Sequence, residues 1–291
     1  MEVLLWLYHN KKELIALKIL QILRWLIKTS YILANYVRGF KKNYRAIFAR
    51  MEVFIVDYEL MMNGNVKIGM QAPDFEAEST YGKISLNNYR GKWLIFFSHP
   101  GDFTPVCTTE MIAFANFNHY FTERNACLLG LSIDSNASHL AWVYDIYKKT
   151  GIKIPFPIIA DRSGAIARKY GMIANDINNT ATVRNVYIIN PEGTIRLILV
   201  YPMDVGRCIP EILRVLEALQ AAEECKGATP ANWTPGGPII NPIPNTFIGL
   251  ERRVEKVKND KNGISWYLNF KNQEECKQIQ NKDIKEIKEK N

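Results

Sequence analysis

Three short apolar runs alternate with helical segments in the middle of the chain, and this alternation limits the fold more than any other feature. The runs are Lys92-Trp-Leu-Ile-Phe-Phe-Ser98, Ala126-Cys-Leu-Leu-Gly-Leu-Ser-Ile-Asp134 and residues 157–160. Each is too short for a buried helix and has the apolar continuity of a strand covered on both faces. Between and after them, residues 107–122, 138–149 and 163–170 have helical character, with Ser138 as the expected N-cap of the second and Gly171 closing the third. Two β-rich runs follow, 180–189 and 194–201, joined by Asn190-Pro-Glu-Gly193, whose turn chemistry predicts a hairpin. A long amphipathic helix is predicted over 207–222. The order strand, helix, strand, helix, strand, hairpin, helix is that of an α/β domain, a central sheet flanked by helices.

The two ends differ from this middle. The chain carries 37 Lys/Arg and 29 Asp/Glu, but residues 1–50 hold ten of the former and two of the latter, which leaves 27 of each in the rest. The net +8 therefore belongs to the first fifty residues, which argues against a basic nucleic-acid-binding surface on the remainder. Residues 14–27 are apolar but interrupted by Lys18, Gln21 and Arg24, and fall short of the roughly 20 residues of a membrane span. Residues 1–61 have three readings: an extension ahead of the start actually used (Met51, Met61 and Met62 are alternatives), a membrane-surface or targeting helix aided by Lys41, Lys42, Arg45 and Arg50, or an ordinary extension. Residues 62–227 form the expected main domain. Residues 228–291, richer in proline and glycine, form a C-terminal arm that packs on the domain or on a partner subunit, with a charged tail expected to fray.

Cysteine usage narrows the chemistry. The five cysteines are Cys107, Cys127, Cys208, Cys225 and Cys276, an odd number with no C-x-x-C, which suggests reduced thiols and a cytoplasmic location rather than a disulfide framework. The four histidines show no metal-ligand spacing, so neither a haem nor a metal cofactor is expected. Cys107 stands apart. It lies where the strand 92–98 has ended and a helix begins, facing backbone N–H groups that have no intrahelical partner and favour an anion. Thr104, three residues earlier, can set its hydroxyl beside the sulfur, and Pro100 and Pro105 stiffen the loop.

The run His99-Pro-Gly-Asp-Phe-Thr-Pro-Val-Cys-Thr-Thr-Glu110 resembles the active-site signature of the peroxiredoxins, and its two ends resemble the one-cysteine subgroup with archaeal and bacterial members. The likeness extends from about Val66 to Phe270 and includes Leu131-Ser-Ile-Asp134, the pair His139 and Trp142, Asp161-Arg-Ser and Ala228-Thr-Pro-Ala-Asn-Trp233. It implies a thioredoxin-like fold with an α+β arm for dimerisation. It also implies thiol-dependent reduction of hydrogen peroxide and alkyl hydroperoxides by Cys107 through a sulfenic acid, in antioxidant defence. Arg184 is the position that matches the family's arginine, where a guanidinium favours the thiolate and polarises the peroxide. Thr104 and Arg184 would bind the peroxide oxygens, Pro100 would shield the sulfur, and His99 and Glu110 would support, Glu110 by a salt bridge to Arg184. An external thiol or thioredoxin-like protein is the implied reductant, and a homodimer, or a ring of ten, the implied assembly.

The chain departs from that pattern near its end. Gly263 and Asn269 stand where some members carry extra cysteines, so a one-cysteine cycle is expected, with Cys276, Cys208 and Cys225 as alternatives for a resolving cysteine. No Gly-x-Ser-x-Gly lipase motif is present around 89–94. Rival readings are a holdase or peroxide-sensing scaffold and a membrane-associated variant acting through the N-terminal helix.

Overall fold

The computed structural model describes residues 66–173, 181–258, 263–274 and 276. The chain divides into two units, Met1–Glu59 and Leu60–Asn291, and every described residue lies in the second. The readings of residues 1–61, and of the tail beyond residue 276, lie outside the described residues. No helix among the described residues is long and apolar enough to cross a membrane.

A seven-stranded sheet organises the main domain, in the order β2-β1-β5-β4-β3-β6-β7. Its centre is β3 (Trp93–Ser98), whose six residues are all buried. β4 (Ala126–Ser132) and β5 (Ile158–Ala160) extend it in parallel on one side. On the other side β6 (Arg184–Ile189) and β7 (Ile195–Tyr201) add as an antiparallel hairpin. The hairpin turn is the expected one: Gly193 takes φ +82°, and the Asn190 side-chain oxygen accepts from the Thr194 amide at 2.8 Å. A second hairpin, β1 (Glu76–Ser79) and β2 (Gly82–Ser85), closes the far edge.

Alternation along the strands divides the core between two faces. Trp93, Ile95 and Phe97 of β3 face one side, packed with α1 (Pro105–Glu123), α2 (Asn136–Thr150) and α4 (Ile209–Glu224) through Met111, Phe114, Trp142, Ile146, Ile212 and Leu216. Leu94 and Phe96 face the other, with Phe75, Tyr187 and the residues around the short α3 (Ala165–Lys169), including Tyr170. Burial on both faces explains why these strands are continuously apolar.

Helix starts shift by two residues from their expected places. Pro105 occupies the first turn of α1, so Thr104 becomes its N-cap. Ser135, not Ser138, caps α2: its hydroxyl oxygen accepts from the Ser138 amide. Cys208 is the extended N-cap of α4, which begins at Ile209 rather than 207.

The arm forms a separate three-stranded sheet, β8-β10-β9 (Ile239–Ile240, Leu268–Lys271, Gly263–Ser265), and a helix α5 (Phe247–Lys258) with no buried residue. It meets the end of α4 in a small cluster of Ala221, Cys225, Trp233, Ile239 and Cys276. Here the expectation of reduced thiols is corrected: Cys225 and Cys276 form a disulfide, with Cα atoms 5.0 Å apart. Their 51-residue separation conceals the pairing in the sequence. It arises because Gly227 lets the arm turn back closely on α4; a Cβ there would sit 2.6 Å from the Ile239 side chain.

Phe114 is the anchor of the α1 contact: its ring stacks on Phe97 at 4.1 Å and is fully buried. Phe114→Ala is expected to lower unfolding free energy by about 3–5 kcal/mol in urea titration. A loss below about 1 kcal/mol would show that α1 docks by other contacts.

Candidate active site

The loop after β3 delivers Cys107 to the third position of α1, where it is fully buried. Thr104 makes no side-chain capping bond and Pro105 has no N–H, so the first-turn amides of Val106 and Cys107 are not taken up by the cap. The Thr104 hydroxyl instead donates to the Gly101 carbonyl at 2.9 Å, and does not reach the sulfur as a donor. Its oxygen is left as an acceptor. Pro100 is half-buried in the same loop.

Arg184, the first residue of β6, reaches Cys107. Its Nη1 donates to Sγ at 3.3 Å and to Glu110 Oε2 at 2.8 Å, while Nε and Nη2 both donate to the Met203 carbonyl. The expected salt bridge to Glu110 is thus present. A second guanidinium, from Arg207, completes the group. Its Nε, Nη2 and backbone N–H all donate to Glu110, its Nη1 donates to the carbonyls of Ser98 and Asn185, and its plane lies over Phe97 and Phe114. Arg184, Arg207 and Glu110 are all buried. Two positive charges against one negative leave a single positive charge uncompensated, and it faces Sγ.

The ionisation of these groups follows from burial and pairing. Burial pushes the Glu110 carboxyl up, but its hydrogen bonds from Arg207 outweigh this and hold it below the usual carboxylate range. Burial lowers Arg207, opposed by Glu110.

A second network holds the loop itself. The Asp102 carboxylate bonds His99 Nε2 at 3.0 Å and His139 Nδ1 at 2.8 Å, and His139 Nε2 bonds the Ile159 carbonyl at 3.1 Å. The Asp102 amide donates to Asp134 at 3.0 Å. Burial raises the Asp102 carboxyl, but the two histidines outweigh it and hold it well below the ordinary range. His99 is lowered by burial, with Asp102 opposing. Beside this anchor Phe103 sits exposed at φ +56°, in the left-handed region that a bulky side chain rarely adopts. The spacing of the histidines suggested no metal ligands, yet the fold brings His99, Asp102 and His139 within 4.8 Å of one another. Their atoms bond each other and the backbone, with only His99 Nδ1 left without a partner.

The structure brings together Cys107, Arg184, Glu110 and, at the loop, Thr104, Pro100 and His99. Of the other cysteines, Cys208 directly follows Arg207 in the chain, as the N-cap of α4. Cys225 and Cys276 pair with each other at the far end of α4, about 25 Å along the helix from Arg207, which corrects their reading as partners for Cys107. Cys208 is free and exposed, and Cys127 is free and half-buried, its thiol pushed up by burial despite Lys92. Sequence reasoning missed Arg207 and Asp102. Arg207 carried one signal: a cation at a helix N-terminus opposes the helix dipole, so something else must hold it. Asp102 carried none.

A cysteine at the first turn of a helix, beside a buried arginine on a thioredoxin-like sheet, defines a thiol enzyme. The AhpC/TSA family matches residues 68–198, and the C-terminal domain of 1-Cys peroxiredoxin matches residues 218–252. A peroxiredoxin 2 of Caldanaerobacter subterraneus subsp. tengcongensis is 53% identical over 205 residues, covering 70% of this chain and 92% of that one. A peroxiredoxin of Thermoplasma volcanium is 49% identical, covering 70% and 98%. Among solved structures, a yeast mitochondrial 1-Cys peroxiredoxin superposes with TM-score 0.63 at 36% identity, covering 72% of this chain and all of that one. A cysteine-to-serine mutant of peroxiredoxin 6 of Arenicola marina does so with TM-score 0.63 at 34% identity, covering 72% and 99%. The chain belongs to the peroxiredoxin family. It is a thiol-dependent peroxidase with an antioxidant role, acting on peroxides with thiol reductants.

Two consequences are measurable. Glu110→Gln leaves two buried guanidinium groups without their carboxylate, and urea titration should show a loss of about 3–5 kcal/mol. The pH dependence has one sign. Asp102 and Glu110 are lowered in the folded state, so their contribution is present above the ordinary carboxylate range and is lost as pH falls through the folded values. His99 is also lowered, so the unfolded chain takes up its proton first as pH falls through 6.5. Thermal midpoints should hold between about pH 7 and 8 and decline steadily below about 6.5. A midpoint flat down to pH 4 would contradict the buried networks.

Proposed function

We propose that Cys107 is the peroxidatic nucleophile and reduces hydrogen peroxide and alkyl hydroperoxides. The observation that carries this is the uncompensated positive charge at Sγ, which a Cys107 thiolate balances. The thiolate attacks the near peroxide oxygen, the O–O bond breaks, and water or an alcohol leaves once protonated, with Cys107 left as a sulfenic acid. Arg184 Nη1, already beside Sγ, stabilises negative charge on the departing oxygen. Thr104, whose own proton goes to Gly101, accepts a hydrogen bond from the hydroperoxide O–H and so orients it. Pro100 covers the sulfur, and His99 with Asp102 fixes the loop. Glu110 orients Arg184.

The cycle uses one cysteine. The pairing of Cys225 with Cys276 supports this, as does the absence of cysteine at Gly263 and Asn269. Cys208 remains a free thiol. An external thiol or thioredoxin-like protein then reduces the sulfenic acid. The yeast structural relative is described as resolved through glutathione and thioredoxin systems, which supports that class of reductant. Residues 62–227 act as the peroxidase domain and 228–291 as the arm. The chain forms a homodimer, supported by β7: it is a sheet edge, its Val200 is exposed, and the exposed apolar side chains Phe247, Ile248 and Ile264 of the arm add further surface for a second copy. A ring of ten is a further assembly the family suggests, and a cytoplasmic site of action suits relatives from archaea and bacteria.

Peroxide consumption with a thiol reductant tests the assignment. Cys107→Ser is expected to abolish turnover, and Arg184→Gln to slow reaction with peroxide by about 10²–10³-fold. Full activity in the serine variant would overturn it.

A further inference from the structure

We propose that Cys225–Cys276 is a second redox centre, a latch between α4 and the C-terminal arm that dithiol reductants open and small disulfides close, independently of Cys107. Three observations carry it. First, the pair is a disulfide whose Cα separation of 5.0 Å suits such a bond, with both residues buried at 5% and 3% exposure. Second, the latch is a large part of the arm's attachment. The apolar cluster at the junction has five buried members, and two of them are the linked cysteines. Among the described residues, hydrogen bonds across the junction include the Trp233 carbonyl bonded by Arg214 and the Cys225 carbonyl bonded by Lys271, while Ala228 with Ile240 and Gln273 with Gly237 pair within the arm itself. α5 buries nothing. Third, the latch lies at the opposite end of α4 from Arg207, about 25 Å away along the helix, so its chemistry does not pass through the Cys107 site.

The exchange balances without further cofactors. To open, one thiolate of a dithiol attacks a latch sulfur to give a mixed disulfide. Its second thiol then displaces the protein sulfur. Both cysteines emerge as thiols, having gained two electrons and two protons, and the reductant becomes a disulfide. To close, one latch thiolate attacks a small disulfide, RSSR, and the second latch thiol displaces the attached RS group. Two RSH are released. The thiol pool that a thiol-dependent peroxidase draws on supplies both directions. Burial of both sulfurs places the exchange behind local opening of the junction. An oxidised pool therefore fastens the arm, and a reduced pool loosens it.

The full chain can be equilibrated in dithiothreitol buffers of graded oxidation, trapped by alkylation and mapped without reduction, with hydrogen exchange followed in parallel. The expected result is a linked Cys225–Cys276 peptide in the oxidised buffer and two alkylated thiols in the reduced one. On reduction, exchange in residues 227–242 and 263–274 should rise by about tenfold or more, while β3 and α1 stay unchanged. The Cys225→Ser/Cys276→Ser double variant should show the fast exchange in both buffers and keep its peroxidase rate within about twofold of wild type. The proposal fails if the linked peptide never forms, if Cys276 pairs with Cys208 or with another chain, if the arm exchanges equally in both buffers, or if the double variant loses peroxidase activity. Failure of Cys107→Ser to abolish turnover would bear on the peroxidatic reading alone.

Discussion

Glu110 accepts hydrogen bonds from two guanidinium groups in a space closed to water, and the active site is arranged around that fact. Without the carboxylate two buried guanidinium charges would lack a counter-ion, and without the guanidinium groups burial would push the Glu110 carboxyl up. Arg207 ties the cluster to the ends of β3 and β6 through the carbonyls of Ser98 and Asn185. Arg184 turns the remaining charge toward Cys107. The reactive sulfur, the first turn of α1, the start of β6 and the loop before α4 are thus held in one electrostatic unit.

The loop that carries Pro100 and Thr104 depends on a different constraint. Asp102 is bonded by two histidines through its carboxylate and by its own amide to Asp134, so the chain between β3 and α1 is pinned from the sides of β4, β5 and α2. That pinning sustains the left-handed Phe103. It also explains why a short segment can keep a sulfur wholly buried yet place it at a helix start facing free amides.

Much of this was legible in the chain, for physical reasons that differ by region. Strands β3 and β4 declared themselves because burial on both faces demands unbroken apolar runs, and the β6–β7 hairpin because Asn190 and Gly193 satisfy its turn. Cys107, Thr104 and Glu110 could be placed because local spacing fixes where a helix begins. What stayed hidden was long-range. Arg207 looked like an ordinary first-turn residue, since nothing local says that residue 110 will face it across 97 positions. Asp102 looked like a loop acid, and His99 and His139, far apart in the chain, gave no sign of sharing it. Cys225 and Cys276 could not be paired because their meeting depends on how the arm folds back at Gly227. Ser138 resembles a cap, but Ser135, three residues earlier, offers the same hydroxyl in an extended backbone that suits the role better.

The arm and the peroxidase site stand at opposite ends of α4, one secured by a disulfide and the other by ion pairs, so the two can respond to the thiol pool separately. The central claim concerns the second: peroxide meets a sulfur made reactive by the charge that Glu110 leaves uncompensated. Reduced protein can be given one equivalent of hydrogen peroxide in the presence of a sulfenic-acid trap and the adduct mapped by peptide mass. The account predicts the adduct on Cys107, formed rapidly and stoichiometrically with peroxide. An adduct confined to exposed Cys208, with Cys107 still a thiol, would contradict it.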